Sequence, residues 1–177
     1  EVFFDKKFKF IFLDTRFFRS KLKGAKSNYI ENIEPDATIL GNDQWIWFEN
    51  ELNDDFDFLF IFSSIQIIAE DHRFEKWSNF PNERYKLLNL IDKFSDKTIL
   101  FSGDRHRAGI YRKNGILEVT SSSMNKPGSS FDEIDKYLIG ETYPQENYSV
   151  LEIFENIIQI KIKDINGANL NSISYKY

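Results

Sequence analysis

Apolar residues fall into short dense runs separated by polar stretches, and the spacing inside each run predicts an element. Residues 8–13 are apolar except for Lys9 and end in Asp14-Thr15-Arg16, which predicts a buried strand with polar groups at its C-terminal tip. The stretch 20–37 is mixed, basic and broken by Gly24 and Pro35, so it reads as a loop. After Gly41, the residues Trp45, Phe48 and Leu52 recur at helical spacing and predict an amphipathic helix over 42–53. Residues 56–68 follow, and Phe58-Leu59-Phe60-Ile61-Phe62 within them is so apolar that both faces must be covered, as in a central strand.

A polar stretch, 69–81, carries Glu70, Asp71, His72, Arg73, Glu75, Lys76 and Trp77, and reads as a loop of the kind that holds function. Residues 82–94 predict a second helix with Leu87, Leu88, Ile91 and Phe94 on one side. Thr98-Ile99-Leu100-Phe101 then forms a short strand that delivers Ser102-Gly103-Asp104-Arg105-His106. Strand, helix, strand, helix, strand is the order of an α/β layered domain.

Beyond His106 the pattern doubles back. Asn114-Gly115 between two apolar runs is a hairpin signal, residues 121–144 read as loops with a short helix over 131–138, and 148–154, 157–163 and 170–175 predict an antiparallel meander packed sheet on sheet. No repeat or linker divides the chain, so residues 1–177 read as a single domain.

Composition narrows the function classes. The net charge is −5, so nucleic acid is not an expected partner, although residues 1–26 are basic and 43–57 acidic; these two blocks read as solvated faces of opposite sign. The chain has no cysteine, which excludes thiolate metal sites and a cysteine nucleophile. No apolar run is long enough for a transmembrane segment. The first residue is Glu1, not Met, which reads as a processed chain or a piece of something longer.

Ser102-Gly103-Asp104-Arg105-His106 has the most chemical content. Glycine lets the backbone turn at the strand tip, and a carboxylate and an imidazole two residues apart can both reach one metal ion. The same two side chains also suit an ordinary hydrogen-bonded loop.

Five blocks occur in order: 12–19, Leu40-Gly41-Asn42-Asp43-Gln44-Trp45, Ser63-Ser64-Ile65-Gln66, 75–84, and Ser102-Gly103-Asp104-Arg105-His106 with its continuation 118–123. Together they resemble the PhoD-like alkaline phosphatase/phosphodiesterase family of metallophosphoesterases over roughly residues 8–123. The resemblance implies metal-dependent hydrolysis of phosphate mono- or diesters on an α/β fold, a four-layer α/β/β/α sandwich represented here by its C-terminal half. It implies that Asp104 and His106 are metal ligands, and that Gln66 or its neighbour Ser64 stands where a central-strand ligand would be.

The cofactors would be divalent or trivalent metal ions, with Asp104 favouring Ca, Fe or Mn over Zn. Arg16 is a candidate for the developing phosphoryl charge or a structural pair with Asp14, and His72 for contact with substrate or leaving group or a solvated loop position. Arg105 reads as support for neighbouring carboxylates, and Trp45 and Trp77 as packing. The family's earlier ligands do not occur in this chain, so the resemblance implies that an upstream N-terminal half of the same enzyme completes the site. Without it, the 58–62 run would lack a partner on one side and the chain would be inactive. The resemblance also implies a periplasmic or cell-surface location. The rival reading is a binding or assembly module without a metal centre.

Overall fold

The computed structural model describes residues 6–128 and 133–176. Its main sheet has six strands in the order β1-β4-β5-β7-β6-β8. They are β1 (Phe8–Phe12), β4 (Phe58–Phe62), β5 (Thr98–Ser102), β7 (Ile116–Ser121), β6 (Ala108–Lys113) and β8 (Leu138–Tyr143). The first four run parallel, and β6 and β8 are antiparallel to their neighbours. Parallel strands need crossovers, supplied here by α1 (Asn42–Glu51) before β4 and α2 (Pro81–Asp92) before β5.

The alternation of side chains across β4 and β5 divides the core. Leu59, Ile61 and Leu100 face the helices and pack with Trp45, Phe48, Leu87 and Ile91. Phe58, Phe60, Ile99 and Phe101 face the other way, against Ile158, Ile160 and Ile162 of a three-stranded sheet made of β9 (Asn147–Ile153), β10 (Ile157–Asp164) and β11 (Asn169–Lys176). The described layers are therefore helix, sheet and sheet, as the apolar runs and the C-terminal meander predict. Trp45 and Trp77 are buried in the helix-side core.

Several expectations need correction. The 20–37 stretch is not all loop: β2 (Lys23–Ala25) and β3 (Asn28–Ile30) form a hairpin turning at Lys26-Ser27. The three-residue strands are too short to give a readable alternation. The expected helix over 131–138 does not form in its described part; 133–135 is irregular, 136–137 is a turn, and β8 begins at Leu138, while residues 131 and 132 lie outside the described residues. Strand β4 has partners on both sides, β1 and β5, so the 58–62 run is fully paired. Among the described residues, the edges of this sheet are β1 and β8.

The two charge blocks do not form separate faces. Lys6 pairs with Asp57 (3.6 Å), Lys7 with Asp55 (2.8 Å), and Lys9 with Glu51 and Asp54 (2.6 and 2.7 Å). Parallel pairing of β1 with β4 brings the N-terminal lysines against the acidic turn that precedes β4. Among the described residues, no helix is long and apolar enough to cross a membrane.

Candidate active site

Because β1, β4, β5 and β7 are parallel, their C-terminal ends lie on one edge of the sheet, where ligands of open α/β sheets bind. The tip of β1 leads to Asp14, that of β4 to Ser63-Ser64, and that of β5 to Gly103-Asp104. The tips are joined: Thr15 and Ser64 share a hydroxyl hydrogen bond of 2.5 Å, and an ideal Cβ on Gly103 would lie 3.5 Å from the Ser64 carbonyl oxygen.

Asp104 and His106 both adopt left-handed backbone, with φ of 66° and 53°. A non-glycine residue held there costs on the order of 1 kcal/mol or more, and such strain concentrates at functional sites. The described residues contain two further non-glycine positions of this kind, Ser27 and Asn114. Ser27, Asp104 and His106 line the same cavity, of about 480 Å³, with Lys26, Tyr29, Phe74, Glu75 and Lys126 among its other walls.

The imidazole of His106 is oriented from behind. Its Nδ1 lies 2.9 Å from the backbone carbonyl oxygen of Lys126, an acceptor only, so Nδ1 carries a proton and in the neutral ring Nε2 has the lone pair. Gly128 packs so tightly on the same loop that a Cβ there would stand 2.4 Å from the His106 carbonyl oxygen. A histidine fixed by a carbonyl on one nitrogen and free on the other is the arrangement of a metal ligand.

Asp104 is half-buried at its carboxyl, and burial pushes its pKa up against the opposing charge of Arg16. Arg16 reaches Asp104 Oδ1 at 3.3 Å and Glu75 Oε2 at 2.6 Å, while Arg19 approaches the other Glu75 oxygen at 3.0 Å. The guanidinium of Arg16 therefore lies on Asp104 and Glu75; its link to Asp14 is a backbone N–H donated to the carboxylate at 2.9 Å.

Arg105 and Arg107 turn inward and pair with buried Glu133, so Arg105 does support a carboxylate. As potential donors Asp104 and His106 fit a metal ion. Among the described residues they are joined by no third side chain to make a cluster of three acidic, histidine or cysteine ligands.

The structure does not bring Gln66 or His72 to this cavity. Gln66 is fully buried and donates from Nε2 to Thr120 at 2.8 Å. Ser64, its neighbour in the sequence reading, is exposed at the strand tips. His72 is 8% exposed, accepts the Phe74 N–H on Nδ1 at 3.2 Å, and leaves Nε2 without a partner. Burial, then the charges of Arg105, Lys76 and Arg107, push its pKa down to about 2, so it is neutral at ordinary pH. The sequence reading missed the hairpin residues Lys26, Ser27 and Tyr29, and also Lys126, because only tertiary packing brings them beside Asp104.

The mixed α/β fold, with helices on one face of the main sheet and a second sheet on the other, is of the metallophosphoesterase-like kind. The match to known proteins is more specific: residues 4–148 fit the family model described as PhoD-like phosphatase, and the chain belongs to that family. No curated protein sequence matches. Among solved structures, it resembles one titled "Structure of PhoD", with a TM-score of 0.76 and 15% identity, over 96% of this chain and 40% of the other. It also resembles GAP50, described as the anchor in the inner membrane complex of Plasmodium, with a TM-score of 0.63 and 16% identity, over 76% of this chain and 42% of the other. The chain thus spans about two fifths of the length of each of these structures.

Proposed function

We propose that this chain is the C-terminal part of a metal-dependent phosphoesterase and supplies Asp104 and His106 to a site completed by an upstream half. One observation carries the reading: the strained pair Asp104 and His106 shares a cavity, with His106 Nδ1 tied back by a carbonyl so that Nε2 is available. Family membership supports phosphate esters, mono- or diesters, as substrates. A metal ion bound there would supply Lewis acidity and lower the pKa of a bound water.

The chain's own residues have separate tasks. Asp104 and His106 Nε2 would hold the ion, and the carbonyl of Lys126 favours the tautomer with Nε2 free to ligate. Arg16 sits at Asp104, held by Glu75, and its guanidinium is placed to oppose charge that builds on the phosphoryl oxygens. Gln66 and His72 lie in the core and outside the cavity.

Two features favour an upstream partner. A two-metal phosphoesterase site wants about six protein ligands, more than Asp104 and His106 provide. The outer edge of β1 is unpaired among the described residues, with Phe10 and Phe12 45% and 67% exposed. Such an edge invites another strand. An extracytoplasmic location accompanies the proposal.

The test is metal content and turnover of nitrophenyl phosphate mono- and diesters by the full-length gene product. Asp104→Ala and His106→Ala are expected to lose bound metal and at least about 100-fold in turnover, as removal of a group essential to transition-state stabilisation does. Unchanged turnover in both variants would overturn the assignment. The isolated 177 residues are expected to be inactive. The assembly-module reading gains if the full-length product binds no metal and hydrolyses neither ester.

A further inference from the structure

Two lysines stand in the cavity of Asp104 and His106 with no acidic partner among the described residues. Lys26 comes from the tip of the β2–β3 hairpin and Lys126 from the loop after β7. Most other lysines are tied down, including Lys9 to Glu51, Lys23 to Glu34, Lys113 to Glu70 and Lys161 to Glu152. The cavity's own acids are already engaged: Glu75 by Arg16 and Arg19, Asp104 by Arg16. Its inner arginines are likewise matched to Glu133. Lys26 and Lys126 are left as cavity-lining cations without an acidic partner among the described residues, in a chain of net charge −5.

Both lysines sit on braced backbone. Gly24 has a φ of 89°, and a Cβ on it would lie 2.7 Å from the Asn28 carbonyl oxygen, so the hairpin closes in one way. Its second strand donates the Tyr29 N–H to the Arg73 carbonyl at 3.0 Å, which joins it to the segment carrying Phe74 and Glu75. Ser27, beside Lys26, is the third left-handed residue of the cavity. Lys126 is fixed through its carbonyl, which accepts from His106. Its placement relative to His106 is therefore set by the same contact that orients the imidazole.

We infer that Lys26 and Lys126 form an anion subsite beside the Asp104–His106 pair, which receives a second phosphate of the substrate, so that the preferred substrates are esters carrying a further phosphate near the scissile one. The inference rests on the phosphoesterase reading and extends it to substrate class. Arg16 already lies on Asp104, where the reacting phosphate would approach; the lysines lie with Tyr29 and Phe74 in the rest of the cavity and are free to take the additional charge.

The probes are butyl phosphate and butane-1,4-diyl bisphosphate, which differ by one remote phosphate. Each is tested as a competitor of nitrophenyl ester hydrolysis by the metal-loaded full-length gene product, and in parallel by calorimetric titration. The bisphosphate is expected to bind about tenfold or more tightly than the monophosphate. Lys26→Ala should reduce that preference with metal content and butyl phosphate affinity unchanged; Lys126→Ala should reduce it too and the double variant abolish it, each compared at its own measured metal content. Lys26→Arg and Lys126→Arg should preserve it. Equal affinity for the two probes in an enzyme that still hydrolyses the ester, or a preference that survives the double alanine variant, overturns the subsite alone. Absence of hydrolysis together with absence of binding by either probe overturns the phosphoesterase reading, and the subsite falls with it.

Discussion

Two buried side chains show how single residues hold the site's surroundings. Glu118 on β7 is fully buried, and its carboxylate accepts the N–H groups of Ile67 and Ile68 at 2.9 and 2.5 Å, which ties the segment after β4 across β5 to β7. Alanine at 118 leaves two buried donors unsatisfied and should cost about 2–4 kcal/mol, measured by urea unfolding. A loss under about 1 kcal/mol would mean that water replaces the carboxylate.

His72 gives a pH signature. Its folded pKa, about 2, lies below the unfolded value near 6.5, so below pH 6.5 the unfolded chain takes up a proton that the folded chain refuses. The stability that His72 contributes therefore falls as pH drops from about 6.5, with a slope approaching about 1.4 kcal/mol per unit. His72→Asn keeps an acceptor for the Phe74 N–H and should flatten the profile between pH 6.5 and 5. That range lies above the fall expected from Glu70. Burial opposes ionisation of Glu70, but Lys136, Lys113 and Arg84 hold its carboxyl at about 2. An identical slope in the variant would assign the acid sensitivity elsewhere.

Among elements, the loop after β7 couples fold to chemistry most directly. Gly128 donates its N–H to the Pro144 carbonyl at 2.9 Å and abuts the His106 backbone, so there is no room for a side chain. Gly128→Ala is expected to displace the loop, free the His106 ring and weaken metal binding by the full-length product about tenfold, read by metal titration. Unaltered affinity would show that the loop adapts without moving Lys126. The helices and the central strands were readable beforehand because each presents a long regular run: Trp45, Phe48 and Leu52 for α1, Phe58 to Phe62 for β4. The hairpin β2–β3 was not, since three-residue strands carry no period and their stability comes from contacts such as Tyr29 to Arg73. Strand β8 was missed for a similar reason: its exposed residues Ile139, Gly140 and Glu141 give no alternating burial, and pairing with β6 makes it a strand.

At the scale of the whole molecule, β1 leaves an aromatic face exposed at the edge of the sheet. Phe12 stacks on Phe62 at 4.4 Å, and Phe62 on Phe101 at 4.8 Å, a row that runs from solvent into the space between the sheets. If an upstream half covers this row, Phe12→Lys should abolish association of the chain with that half in size-exclusion chromatography while making the chain alone less prone to aggregate. Association that persists would place the seam elsewhere.

The amino-acid pattern by itself determined the α/β order, the two apolar faces of the central strands and the position of Asp104 and His106 at a strand end, because these depend on local period; the left-handed turns there fall on Asp104 and His106 and not on Gly103. Only tertiary structure decided which polar groups meet there. Arg16 reaches Asp104 across 88 residues of chain, Lys126 orients His106, and Lys26 arrives on a hairpin, whereas Gln66 and His72, close to the tips in sequence, turn into the core. Parallel strand order brings distant tips together, and burial and pairing then select among them, so chemistry at a sheet edge is assembled from residues whose proximity no local pattern encodes.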